Sequence, residues 1–290
     1  MDGVDGPFDR QLRRLRRDRA ARHPDADYLH RRAAAELGER LDLVTRRFDR
    51  ALDLGCGAGA MGAELAARGI AVVSADAGPA FAAAAGGVLC DEDRLPFADG
   101  AFDLVTSVGA LDSVNDLPGA LTLIRRALRP DGLFLAAFAG AGSLPALRGA
   151  LQAAEEAEDV APAPRLHPQI DVRAAGDLLT RAGFALPVVD REEVIVRFSS
   201  LGRLVADLRG MAATNILLER SRTPFGRFGL AAATAHFAAS ADADGRTAER
   251  FEILYLSGWA PGPDQPRPAR RGSAVASLAD ALKAGPRASG

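Results

Sequence analysis

The sequence predicts an α/β fold, a mostly parallel seven-stranded sheet with helices on both faces and helical caps at either end. Three observations predict it. An apolar run ends in alternating glycines at Ala51-Leu52-Asp53-Leu54-Gly55-Cys56-Gly57-Ala58-Gly59-Ala60. From Phe48 onward, strand-length apolar runs alternate with helical patterns. Glycine-bearing stops separate them, at Gly69, at Arg129-Pro130-Asp131-Gly132 and at Gly183.

Residues 8–47 read as helical, with Leu29, Ala33, Leu37 and Leu41 at helical spacing for packing on the main domain. Strands are expected at 50–54, 70–75, 87–90, 102–108 and 133–138. Helices fall between them at 60–68, 78–85 and 117–128. Beyond, helices are read at 144–157, 172–181, 201–218 and 229–239, and strands at 188–198 and 251–259. The organisation is a helical segment (1–47), a ligand-binding core (48–140), the remaining strands with a helical cap (141–260) and a flexible tail rich in Pro, Gly and Arg (261–290).

Composition narrows the function. Net charge is −2, so nothing global points to nucleic acid. Arg10, Arg13, Arg14, Arg16, Arg17, Arg19 and Arg22 form a basic cluster, read as a solvated helix face, against the functional reading of an acidic partner, RNA or a lipid surface. Cys56 and Cys90 form no CxxC, and His23, His30, His167 and His236 lack metal-ligand spacing, so neither disulfide nor metal is expected. No signal peptide and no membrane-spanning run are read, which gives a cytoplasmic expectation.

The chemistry-bearing residues follow in strand order. Glycines let the backbone turn sharply and approach a ligand, while Asp53 just ahead of them would repel a pyrophosphate but suits a cation. That order fits S-adenosylmethionine: Gly55, Gly57 and Gly59 at its methionyl part and Asp53 near its ammonium. Asp76, ending the second strand, would accept from both ribose hydroxyls. Asp91 would accept from the adenine amine, with Glu92 and Asp93 solvated and Leu95-Pro96-Phe97 walling the adenine. Ser107 and Leu111 would line the pocket mouth. Cys56 reads as a small packed residue. Gly57-Ala58-Gly59-Ala60-Met61-Gly62 also satisfies GxGxxG, so a nicotinamide or flavin site is the competing reading, and a fold that binds nothing is a further one. Asp53 and the 91–97 block favour S-adenosylmethionine.

These residues resemble the class I S-adenosylmethionine-dependent methyltransferases, whose fold is Rossmann-like. Residues 53–59 match their first motif, and Leu95-Pro96-Phe97, Phe102-Asp103-Leu104-Val105 and Arg129-Pro130-Asp131-Gly132 match later ones. Over almost the whole chain the sequence resembles the methyltransferase-like assembly factors of respiratory complex I, known as protein arginine hydroxylases, and their bacterial relatives. Phe8-Asp9-Arg10, Val114-Asn115-Asp116-Leu117-Pro118, Asp207-Leu208-Arg209-Gly210-Met211, Asn215, Arg267-Pro268 and Arg271-Gly272-Ser273-Ala274 carry that resemblance. It is also similar to the malonyl-carrier-protein methyltransferases. Where the family commonly has Leu-His-Trp, this chain has Leu111-Asp112-Ser113, and Asp112 reads as an exposed loop carboxylate, with a base in place of the missing histidine as the alternative.

The resulting expectation is a methyltransferase acting on a protein or carrier-protein acceptor. Methyl transfer asks mainly for alignment and a dry pocket, so the lack of a catalytic triad is no objection. The acceptor would enter under residues 1–45 and 199–240, with Asp207, Arg209 and Asn215 as polar contacts. The resemblance implies the alternatives: an arginine hydroxylase and complex I assembly factor, peripheral to the inner membrane through a complex I subunit, or a non-catalytic S-adenosylmethionine-binding assembly chaperone.

Overall fold

A computed structural model describes residues 6–23, 26–263 and 265. Of the tail expected over 261–290, residues 264 and 266–290, with Arg267-Pro268 and Arg271 to Ala274, lie outside the described residues.

Apolar five- to seven-residue runs with no polar face can only be buried on both sides, and they form the middle of the sheet. β1 (Arg50–Leu54) lies between β2 (Ala71–Asp76) and β4 (Phe102–Val108), all parallel. β3 (Val88–Leu89) pairs with β2 at the edge, and β5 (Leu128–Ala139) with β4. β6 (Ala185–Phe198) and β7 (Thr247–Trp259) complete a seven-stranded sheet of order β3-β2-β1-β4-β5-β7-β6, with β7 antiparallel to both neighbours. The order reverses between β1 and β4. In open α/β sheets the crevice at the carboxyl ends of the strands at such a reversal is where ligands bind.

Helices cover both faces. α5 (Leu117–Ala127) and α7 (Val172–Arg181) pack Leu121, Ile124 and Leu179 against Phe102 and Phe134. On the other face, α2 (Tyr28–Asp42) and α3 (Ala60–Ala67) bring Leu37, Leu41, Met61 and Leu65 onto Leu104 and Leu135. The apolar stripe from Leu29 to Leu41 is thus the docking face of α2. α4 (Pro79–Ala84) follows β2. A third cluster joins α6 (Pro145–Ala157), α8 (Leu201–Gly210) and α9 (Arg227–Ala239) around Leu147, Leu204, Phe237 and Phe251.

The structure corrects several expected elements. The helical segment 8–47 resolves into α1 (Arg10–Ala20) and α2. The helix expected to reach 218 stops at Gly210, and Ala212 follows with φ 59°. Arg129 to Gly132 is not a turn before β5. It is an irregularity within it, where the register on β4 jumps from Phe102↔Leu128 to Leu104↔Leu133 and Asp131 takes φ 61°.

Asp103, read as part of a strand motif, has a structural task. Its buried carboxylate accepts from the backbone N–H groups of Asp49 (2.7 Å) and Arg50 (3.0 Å) and meets Arg129 at 3.1 Å. It fixes where β1 enters the sheet. Asp103→Ala leaves two backbone donors without a partner and is expected to lower stability by about 2–3 kcal/mol, read as a shift of the urea midpoint at unchanged slope.

Candidate cofactor and acceptor site

β1 ends on Leu54, and the chain turns at once over the carboxyl end of β2. Gly55 and Cys56 donate to the carbonyl of Ala75 at 2.7 and 3.0 Å. Gly55 takes φ 74°, and a Cβ there would lie 2.3 Å from the Cβ of Ala110, so a side chain is excluded on both counts. Beneath this loop Asp53 is 1% exposed, and neither carboxylate oxygen has a hydrogen-bond partner. The Gly62 amide approaches it without reaching bonding geometry. Burial first, and then the charge of Asp76, push the Asp53 carboxyl up to about 7. A buried, unpaired carboxylate is costly and calls for a cationic or donor partner. Cys56 lies in the same loop. Its thiol is pushed up to about 12, chiefly by burial, which makes it a packed and inert residue as expected.

The acidic residues expected to meet a nucleoside converge on the neighbouring crevice, but they are not free. α1 lies across them. Arg17 grips Asp76 through two bonds of 2.5 and 2.6 Å, and Arg13 grips Glu92 at 2.6 and 2.8 Å. Arg14 reaches Asp91 at 2.7 Å, and Arg10 reaches Asp93 at 2.7 and 2.6 Å. Asp76 also accepts from Gly57 and Gly78 N–H. Burial alone would raise its pKa. The charge and hydrogen bonds of Arg17 prevail and hold it below the usual carboxylate range. The reading of the basic cluster as a solvated face is therefore corrected for these four arginines, and so is that of Glu92 and Asp93 as solvated acids. The spacing i, i+3, i+4, i+7 of residues 10, 13, 14 and 17 marks a single helix face and was the signal available in the sequence.

Two linked cavities remain. One, of about 50 Å³, is lined by Asp53, Gly55, Cys56, Gly57, Met61 and Arg17. The other, of about 130 Å³, opens between β4, β7, α2, the loop 165–169 and the residues ending α8. Both are lined by Arg17, His30, Val108, Gly109, Met211 and Ala212, where the two adjoin. Gly109 (φ 64°) lets His30 pack closely here, since a Cβ there would stand 2.3 Å from its Nε2. Burial, then the nearby Arg17, lowers the pKa of His30 to about 4, so its imidazole is neutral.

In the larger cavity Asp112 faces His167. Asp112 is half-buried and cavity-facing, not an exposed loop carboxylate, and burial raises its pKa. Burial lowers that of His167, whose Nε2 accepts from the Ile216 N–H at 3.2 Å. That bond places the proton of the neutral ring on Nδ1. Phe8 meets the His167 ring edge-on at 5.0 Å. Sequence reasoning missed His30 and His167, which sit in a helix and a loop with no motif around them. Among the described residues no group of three His, Cys, Asp or Glu side chains is placed to hold a metal.

Other expected positions move. Ser107 and Leu111 lie behind the cavity wall, fully buried, with Leu111 in the core, and their neighbours Val108 and Asp112 do the lining. Leu95 and Phe97 pack on the same core, Phe97 edge-on to Phe102 at 5.2 Å, and line neither cavity. Asp207 accepts from the Tyr28 hydroxyl at 3.1 Å and Arg209 is exposed, while Leu208 and Met211 face the cavity instead. Asn215 does reach the lining. Its amide is committed to the Pro164 carbonyl and the Leu217 N–H, both at 2.9 Å. α9 packs on α6 and contributes nothing to the cavity, so the helical cap is α1, α2 and α8.

A methyltransferase-domain family profile matches residues 52–136. The mitochondrial arginine-hydroxylase NDUFAF5 of Danio rerio is 36% identical over 96% of this chain and 90% of its own length. The malonyl-[acyl-carrier protein] O-methyltransferase of Laribacter hongkongensis is 32% identical over 84% of this chain and 87% of its own. The Bacillus subtilis YcgJ structure shares the fold with a TM-score of 0.54 at 14% identity, covering 79% of this chain and 98% of that one. The strand order, the glycine loop after β1 and the match over nearly the full length lead to one assignment: the chain belongs to the NDUFAF5 family, built on the class I methyltransferase fold.

Proposed function

We propose that this chain binds S-adenosylmethionine over the glycine loop and is an enzyme that modifies a protein or carrier-protein acceptor, by methyl transfer as the leading reading. The observation that carries the reading is Asp53, a buried carboxylate with neither oxygen paired, at the end of β1 and facing a cavity. The residues fit the group. Asp53 would take the ammonium, the loop around Gly55 and Gly57 would accommodate the methionyl chain, and Asp76 and Asp91 would take ribose and adenine once their arginines let go. When bound, the cofactor supplies an electrophilic methyl on a sulfonium.

The chain's own residues do the rest. His30, Met211 and Ala212 line both cavities and would keep water from the place where they adjoin. Asp112 is the cavity carboxylate opposite His167, and its raised pKa makes it the group to accept a proton from an incoming nucleophile. His167, with Nε2 spent on Ile216, orients the loop and stays neutral.

The near full-length match to NDUFAF5 favours a second reading, in which the acceptor is a protein arginine and the product is a hydroxylated side chain. Mass spectrometry of a modified partner separates the two, because a methyl adds carbon and hydrogen and a hydroxylation adds oxygen. The primary reading is tested by calorimetric titration of the purified protein with S-adenosylmethionine, with NADH as the control. Saturable binding of the first and none of the second is expected. Binding of NADH alone would transfer the site to a dinucleotide.

A further inference from the structure

α1 lies across the acidic crevice that the cofactor reading gives to the adenosine half. Arg17 spends both oxygens of Asp76, the carboxylate assigned to the ribose, and lies on the loop with Nη2 3.5 Å from the Gly55 carbonyl. Its guanidinium also stands over the Phe81 ring, 5.4 Å from the centroid. The cavity left beside the loop, about 50 Å³, is far below the roughly 300 Å³ at which small-molecule sites begin. The helix is fitted to this position. A Cβ on Gly78 would stand 2.7 Å from the Cβ of Arg17, so the glycine lets α1 approach β2. Asp18 accepts from the Ala80 N–H at the start of α4. The start of α1 is pinned separately. Phe8 and Asn115 exchange two backbone–amide hydrogen bonds of 2.8 and 3.0 Å, and Asp9 N–H donates to the Ile216 carbonyl.

We propose that α1 is a built-in lid whose arginines stand in for the cofactor on Asp76, Asp91, Glu92 and Asp93, so that S-adenosylmethionine binds only as these guanidiniums leave. The inference rests on the cofactor reading above. The closed form is a stable competitor because each charge is paired and each acid is shielded from water. A ligand whose competent state is a minor fraction binds with an affinity reduced by that fraction. The cofactor's apparent affinity thus reports the strength of the lid.

The test uses the full chain. Arg10→Gln with Arg14→Gln removes the two outer pairs, whose arginines are the more exposed, and leaves the buried Arg13 and Arg17 pairs intact. Each of these pairs joins a partly exposed arginine to a buried acid, and the double variant is expected to bind S-adenosylmethionine about three- to tenfold tighter in calorimetry. In the wild type, S-adenosylmethionine is expected to speed trypsin cleavage within residues 10–22, mapped by mass spectrometry. Unchanged affinity in the variant, with α1 protected by the cofactor, would overturn the lid and leave cofactor binding standing. No binding by either protein would overturn the cofactor reading itself, and the lid with it.

Discussion

Asp53→Asn is expected to make the ligand-free protein more stable at pH 8 while abolishing S-adenosylmethionine binding. Asp53 is enclosed, unpaired and beside Asp76, and its carboxyl is pushed up to about 7. A carboxyl raised above its unfolded value contributes stability that is present below the unfolded pKa and is lost as pH rises through about 7. At pH 8 the wild type holds a buried charge with no partner. Asparagine removes the charge but keeps an unpaired polar group, so a gain of about 1–3 kcal/mol is expected. The gain should vanish near pH 4, where the wild-type carboxyl is protonated. Urea titrations of both proteins at the two pH values measure it. Equal pH dependence of the two proteins would mean that Asp53 already has a partner. Cofactor affinity in the wild type should rise with pH through about 7, because the ammonium needs the ionised form.

Asp76→Ala, on the adjacent strand, should do the opposite. Asp76 and Arg17 are both buried, and each satisfies the other. Removing the carboxylate strands a guanidinium in the interior and strips the acceptor from the Gly57 and Gly78 N–H groups, at a cost of about 3–5 kcal/mol. The pKa of Asp76 is lowered, so its contribution is present above the unfolded pKa and lost as pH falls through the folded one. Arg17→Met together with Asp76→Leu should recover most of the loss, since a buried pair replaced by apolar groups leaves no charge unpaired. A double variant as unstable as Asp76→Ala would place the loss in the two amides and not in the ion pair.

What the sequence made legible here was local. The central strands β1 and β4 were short apolar runs, and Gly55 carried its own reason in the turn it makes. Asp53 and Asp76 were found because they end strands whose order was readable. The partners of Asp76, Asp91, Glu92 and Asp93 were not, because each lies 59 to 83 residues away on α1. Helical spacing reveals that a face exists, but what it packs against is a tertiary fact. The same limit hid Asp112. A carboxylate after a strand looks exposed until the loop carrying His167 and the end of α8 are folded over it.

The pinning of α1 has a consequence for how the chain is made. Residues 10–20 leave the ribosome before the strands they cover, yet Asp9 is held by Ile216 and meets Arg220 across 211 positions of sequence. Contacts so distant in sequence must wait for the loop between them to close, and chains fold largely in the order they emerge. The four acids lie only 59 to 83 residues beyond their arginines, so the clamp on them forms over far shorter loops than the fastening of Asp9 to Ile216 and Arg220.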